Sequence, residues 1–148
     1  MARALGDRLG WRVEDIDALI EAKERQPIAD IFAGHSEAYF RTVEHAVLQD
    51  LQPERRVVIA TGGGTFVAPD NQRLINEDGI SIWLDVSFEQ VAERLPPDGR
   101  RPLATDRASM RALFDTRRTA YAAAHLRLDT SGVPVGELVE RVLDWMGQ

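Results

Sequence analysis

The chain has 148 residues, 44% apolar and 28% charged, a balance that suits one globular domain around a single core. Eighteen basic against 24 acidic residues leave a net charge of −6, and no Lys/Arg run supplies the dense basic footprint that nucleic acid or an anionic membrane favours. Cysteine is absent, which excludes disulfides and thiolate metal sites, and no apolar stretch reads as a signal peptide or a membrane span; a cytoplasmic protein with a small-molecule ligand is expected.

Residues 2 to 9 read as a short helix with Leu5 and Leu9 on one side and Gly10 as its stop. Nothing before them caps it, although an α/β domain more naturally opens with a strand. "WRVED" (11 to 15) reads as the first strand, and Asp15 and Asp17 follow one another in "DID". Two residues apart on a strand, both carboxylates can point into one site, one toward a metal-bound water and one toward a substrate hydroxyl. For one of the two, capping the helix that "DALIEAKE" begins is the expected role, and Asp17 can cap and bind at once through different oxygens. Phe40, Val43, Val47, Leu48 and Leu51 then fall on one helical face. In the same segment "FRTVE" sets Arg41 and Glu44 at i, i+3, so the glutamate can fix the guanidinium for bidentate capture of a carboxylate or phosphate. A solvated pair of little energetic weight is the commoner outcome for such a spacing.

"VVIAT" (57 to 61) and "SIWLDV" (81 to 86) barely alternate and are expected to be fully buried strands. Gly62, Gly63 and Gly64 follow the first of them, where consecutive glycines either make a plain turn or let the backbone approach a ligand at the strand's C-terminal edge. They are not a phosphate loop, because "GGGTFV" lacks the lysine and hydroxyl of G-x-x-x-x-G-K-S/T. "LPPDGRRPLATDR" (95 to 107) reads as a mobile surface loop carrying Arg100, Arg101 and Arg107, with Arg94 just before it. Such a loop can close over a phosphoryl group and supply transition-state charge. Arg117 and Arg118 come later, ahead of Tyr121; for Arg100, Arg107 and Arg118 a solvated role is expected. "LRLDT" (126 to 130) is the fourth strand, and Val135, Leu138, Val139, Val142, Leu143 and Met146 form a clean helical face at the C-terminus. His35, His45 and His125 have no metal-ligand spacing and read as surface or packing residues. Alternating strands and helices predict α/β architecture with a parallel sheet.

Taken in order, "LGWRVEDID", "IADIF", "SEAYFRTVE", "VIATGGG", "IWLDVSFEQVAER", "RRPLA", "RRTAY" and "LDT" resemble the shikimate kinase family, of the P-loop, nucleoside-monophosphate-kinase type, across nearly the whole chain. The resemblance implies a three-layer α/β/α P-loop kinase fold over residues 1–148, expected as a monomer, that transfers a phosphoryl group from ATP, with Mg²⁺, to the 3-hydroxyl of shikimate in the chorismate and aromatic amino acid pathway. It implies that Asp17 contacts the shikimate hydroxyls and is the candidate base, that Arg41 and Arg117 hold the carboxylate, and that Gly63, the middle of Gly62–Gly64, offers a backbone contact. It also implies a lid at 95–107 whose Arg101 reaches the nucleotide phosphates, Asp15 near magnesium through water, and Arg94 beside adenine.

The sequence departs from the family at Ser36, where glycine is usual, at Gln26-Pro27, and above all at its start. Family members open with a strand and G-x-x-x-x-G-K-S/T, whereas "MARALGDRLGW" matches the helix after that motif. The resemblance therefore implies a sheet without its first, central strand, which would lie between the strands of "VVIAT" and "SIWLDV", and no phosphate cradle. Three readings follow: a shikimate kinase whose start lies further upstream, a non-catalytic shikimate-binding or interaction module built on the kinase fold, or a plain α/β interaction domain with a glycine turn. The first is favoured for family function, because each retained motif keeps the residues its chemistry needs. ATP turnover by the 148-residue chain is expected to be very low or undetectable, since positioning and electrostatics supply nearly all of phosphoryl-transfer catalysis.

Overall fold

The computed structural model describes residues 1–94 and 106–148. The chain begins with helix α1 (Ala2–Leu9), closed by Gly10 in the left-handed conformation at φ 67°, whose N–H returns to the Asp7 carbonyl. Strand β1 (Arg12–Asp15) follows directly, and α1 lies so close to it that a Cβ on Gly6 would collide with Cγ2 of Val13 and sit 3.1 Å from the Trp11 carbonyl. Only glycine permits that crossing.

Helices α2 (Ile16–Glu24), α3 (Ile28–Gly34) and α4 (Glu37–Leu51) lead to strand β2 (Val57–Ala60). Ser36 caps α4 by accepting the Tyr39 N–H at 3.1 Å, so the serine that departs from the family pattern has a local structural use. A single 3₁₀ turn (Thr65–Val67) and α5 (Pro69–Asp78) connect to β3 (Ile82–Asp85) and α6 (Phe88–Arg94). Asp106 then caps α7 (Arg107–Tyr121), accepting the Ser109 N–H at 2.7 Å, and β4 (Leu126–Asp129) and α8 (Val135–Met146) end the chain.

The four expected strands all form, within a residue of the expected bounds, but as two parallel pairs. β1 pairs with β2, from Arg12–Val57 to Asp15–Ala60, and β3 pairs with β4, from Ile82–Leu126 to Asp85–Asp129. No ladder joins the pairs among the described residues. A cavity of about 880 Å³ lies between them, lined in part by Leu5, Val58, Ile59, Ile82, Leu84 and Met146. This corrects the expectation that β2 and β3 are fully buried: every residue of β2 is half-buried, and Leu84 of β3 is 38% exposed. Among the described residues each strand is paired along one edge only.

Two clusters of apolar side chains hold the layers together. Ile16 and Ile20 of α2 and Ile31 of α3 pack with Phe40, Val43, Val47 and Leu48 of α4, with Leu74 and Ile75 of α5 against them. Leu5 of α1 and Leu128 of β4 pack with Leu138, Val139, Val142 and Leu143 of α8. The helical faces read from the sequence are largely the buried ones, with Leu51 and Met146 half-buried and Val135, at the start of α8, exposed.

Candidate active site

The parallel register sets Asp15 beside Ala60, so the segments that leave β1 and β2 emerge at the same edge. From β2 the chain runs into Gly62, Gly63 and Gly64. A Cβ at Gly62 would lie 3.4 Å from Oδ1 of Asp17; at Gly63 it would lie 2.9 Å from Cζ of Arg117; at Gly64 it would lie 2.8 Å from Cζ of Arg41. Each glycine thus makes room for a different polar side chain, and the last two positions leave no space for a methyl group unless a guanidinium moves. Three residues far apart in the sequence meet at one short stretch of bare backbone. The turn is closed by the Thr65 N–H to the Gly62 carbonyl at 3.3 Å and the Val67 N–H to the Gly64 carbonyl at 3.2 Å.

Asp15 and Asp17 reach this edge differently from the strand-based expectation. The helix starts at Ile16, so the two residues do not share a strand face. Asp15 Oδ1 accepts the backbone N–H of Asp17 at 2.9 Å and of Ala18 at 3.3 Å, making Asp15 the N-cap of α2. Asp17 stands in the first turn of that helix and faces the glycines.

Arg41 and Glu44 are not a solvated surface pair. Glu44 is 1% exposed, and Nη1 of Arg41 donates to both its oxygens, at 3.0 and 3.1 Å. The Thr65 hydroxyl donates to Glu44 Oε2 at 2.9 Å, and the Thr65 carbonyl accepts from Asn71 Nδ2 at 2.9 Å. His45 Nδ1 lies 2.6 Å from Asn71 Oδ1. A buried carboxylate is tolerable only when paired and hydrogen-bonded, and here the pairing also fixes the guanidinium at Gly64. Thr65 and Asn71 were invisible as site residues: the first is an unremarkable residue after the glycines, and the second joins it only through the fold.

Arg117 comes from the penultimate turn of α7, and the Tyr121 hydroxyl, four residues on, donates to the Gly63 carbonyl. Tyr121 therefore belongs to the site as a residue that holds the glycine turn. Arg118 points elsewhere: its side chain keeps 41% exposure, in line with a solvated residue, but its Nη1 meets Asp85 Oδ1 at 2.6 Å, a partner the sequence did not suggest. Nε of Arg127 meets the other oxygen at 2.7 Å. Burial pushes the Asp85 carboxyl toward neutrality, but hydrogen bonds and attraction from Arg118 and Arg127 prevail and hold it below the usual aspartate range. Arg107 is the first residue of α7 rather than a loop residue, and pairs with Glu89 at 2.7 Å on the surface, as expected for a solvated side chain. Arg94 is exposed at the end of α6. Arg101, Arg100 and the rest of the proposed lid up to residue 105 lie outside the described residues.

The site thus offers two guanidiniums, one carboxylate and bare backbone, a set suited to a small acid bearing hydroxyls. The sequence profile of the shikimate kinase family matches residues 1–147. The chain belongs to the shikimate kinase family. The shikimate kinase of Persephonella marina is 36% identical over 144 residues, covering 97% of this chain and 88% of the relative. That of Geobacter metallireducens is 36% identical over 149 residues, covering 99% and 83%. Shikimate kinase from Acinetobacter baumannii, solved in complex with shikimate, superposes with a TM-score of 0.91 at 30% identity, covering 98% of this chain and 83% of that one. The Aquifex aeolicus enzyme superposes with a TM-score of 0.85 at 30% identity, covering 97% and 88%. The fold is accordingly that of the P-loop kinases, and the family is one of kinase-class phosphotransferases.

The residues present do not fit the nucleotide half of a shikimate kinase site as they fit the substrate half. No G-x-x-x-x-G-K-S/T occurs in the sequence. Among the described residues no group of three or more His, Asp or Glu could hold a metal ion, and the Asp15 oxygen that caps α2 is already engaged by two backbone N–H groups. No helix among them is long and apolar enough to cross a membrane.

Proposed function

We propose that this site binds shikimate and serves transfer of a phosphoryl group from ATP to its 3-hydroxyl. The convergence of Asp17, Arg117 and Arg41 on Gly62, Gly63 and Gly64 is the observation that carries this reading. Two guanidiniums suit a planar carboxylate, which each can grip with paired N–H donors. One carboxylate suits a hydroxyl about to lose its proton, provided it comes within hydrogen-bond reach of that proton. The glycine backbone lets the ring approach without a side chain between. In this assignment Arg41 and Arg117 orient the substrate by its carboxylate, Gly63 contacts it through the backbone, and Asp17 takes the hydroxyl proton. Arg101 and Arg94 are assigned to the nucleotide, and Asp15 to magnesium through water. For Asp15 that role would have to be shared with capping α2 through its other oxygen.

The substrate half of the site is the part that the described residues supply. No step through ATP or magnesium is drawn from its own residues. The test is calorimetry with shikimate on the native chain, Arg41→Ala and Arg117→Ala. The expected result is saturable binding by the native chain, weakened at least tenfold in each variant, on the order of one lost charge-assisted hydrogen-bond pair. Native binding that neither substitution affects would refute the assignment, and no native binding would favour an interaction module instead.

A further inference from the structure

A cluster on β3 and β4, outside the substrate site, holds the last turns of the helix that supplies Arg117. Asp85 ends β3 with its side chain only 10% exposed, and its carbonyl accepts the Thr130 N–H at 3.1 Å and hydroxyl at 3.0 Å. Its carboxylate grips Arg118 of α7 and Arg127 of β4 through separate oxygens. The Cζ atoms of both arginines lie over the Trp83 ring, 5.0 and 5.1 Å from its centre, and that ring meets Tyr121 edge-on at 6.1 Å. Thus one end of α7 is tied to β3 through Arg118 and Tyr121. On a helix, Arg117 and Tyr121 are four apart and share a face, whereas Arg118 projects about 100° around the axis. Gripping Arg118 therefore fixes the rotation of the helix, and rotation decides where Arg117 and Tyr121 meet Gly63.

We infer that Asp85 is a positioning residue for the anion site: by anchoring Arg118 it sets the presentation of Arg117 at the glycine turn. The inference rests on the reading that Arg117 holds the shikimate carboxylate. It is tested with Asp85→Asn and with Arg118→Ala, the second leaving Asp85 paired to Arg127 should the first fold poorly. Each is combined with Arg117→Lys, which keeps a charge but not the planar fork. Shikimate affinity should fall in each single variant by roughly three- to tenfold, the usual range for coupled neighbours. In the Arg117→Lys background the same changes should have little further effect. Losses that multiply with that of Arg117→Lys, or unchanged affinity in both folded single variants, would overturn the inference. Hydrogen exchange without ligand distinguishes failure of the substrate reading from failure of this one. Should the native chain bind no shikimate, faster exchange of the amides at 62–64 in Arg118→Ala still supports the anchoring, and unchanged exchange there overturns it.

Discussion

Glu44→Gln is the substitution that most directly probes how the site is held. The native carboxylate is 1% exposed, accepts two hydrogen bonds from Arg41 and one from Thr65, and has no route to water without the helix opening. Removing one member of a fully buried pair costs about 3–5 kcal/mol. Two features reduce that here. The Arg41 side chain keeps 26% of its exposure, so solvent shares the stranded positive charge, and glutamine retains one carbonyl oxygen as an acceptor. A destabilisation of about 1–2 kcal/mol is the result, near the value of one hydrogen bond to a charged group. For a domain of this size that lowers the melting temperature by roughly 2–8 °C. The guanidinium at Gly64 also loses its orienting partner, so shikimate affinity should fall about tenfold, the equivalent of about 1.4 kcal/mol. Thermal unfolding followed by circular dichroism and calorimetric titration read the two effects. Native melting and native affinity in the variant would show that the buried carboxylate does not set Arg41.

Gly64→Ala should leave the fold cooperative but weaken shikimate binding tenfold or more, because the new methyl group displaces the Arg41 guanidinium; calorimetry decides, and unchanged affinity would contradict the geometry. Gly6→Ala should destabilise by about 1–3 kcal/mol in urea unfolding, since the overlap with Val13 can be relieved only by moving α1 off β1. Acid should selectively remove the Asp85 contribution. A carboxyl whose folded pKa is depressed stabilises above its unfolded value of 3.8, and that stabilisation is lost as pH falls through the folded value. The native chain should therefore exceed Asp85→Asn in stability at pH 7, with the gap closing below about pH 4. A gap that stays constant from pH 7 to pH 3 would assign the effect to packing.

The strands were legible because runs such as "VVIAT" and "LRLDT" are bounded by residues that turn the chain. The α1 stop was equally plain at Gly10. Burial of β2 and β3 was not legible, because it depends on what lies across the sheet rather than on the strand itself. The alternation of Asp15 and Asp17 fitted a strand, yet the helix begins between them. A cap and a strand end look alike until the backbone direction is known. The Arg41–Glu44 pair could be found by spacing, but its burial arises from Thr65 and Asn71, which the fold brings in from the far side of β2. The partner of Arg118 was not legible for a similar reason: Asp85 is 33 residues away, and no local pattern links them.

The open slot between the strand pairs has a thermodynamic consequence. Asp17 and Arg41 belong to the half built on β1 and β2, while Arg117 and Tyr121 ride on the helix anchored to β3. With no ladder spanning the slot among the described residues, those halves are joined by α1, by the contact of α7 with the glycine turn, and by α5, whose Gln72 and Asn76 donate to the carbonyls of Ala120 and Ala123. A ligand gripped by both arginines would add a further bridge beside the contact of Tyr121 with Gly63. Shikimate should therefore raise the cooperativity of unfolding as well as its midpoint, merging exchange behaviour that differs between the halves in the free chain. Recognition of the substrate and integrity of the molecule would then be linked functions of one ligand concentration.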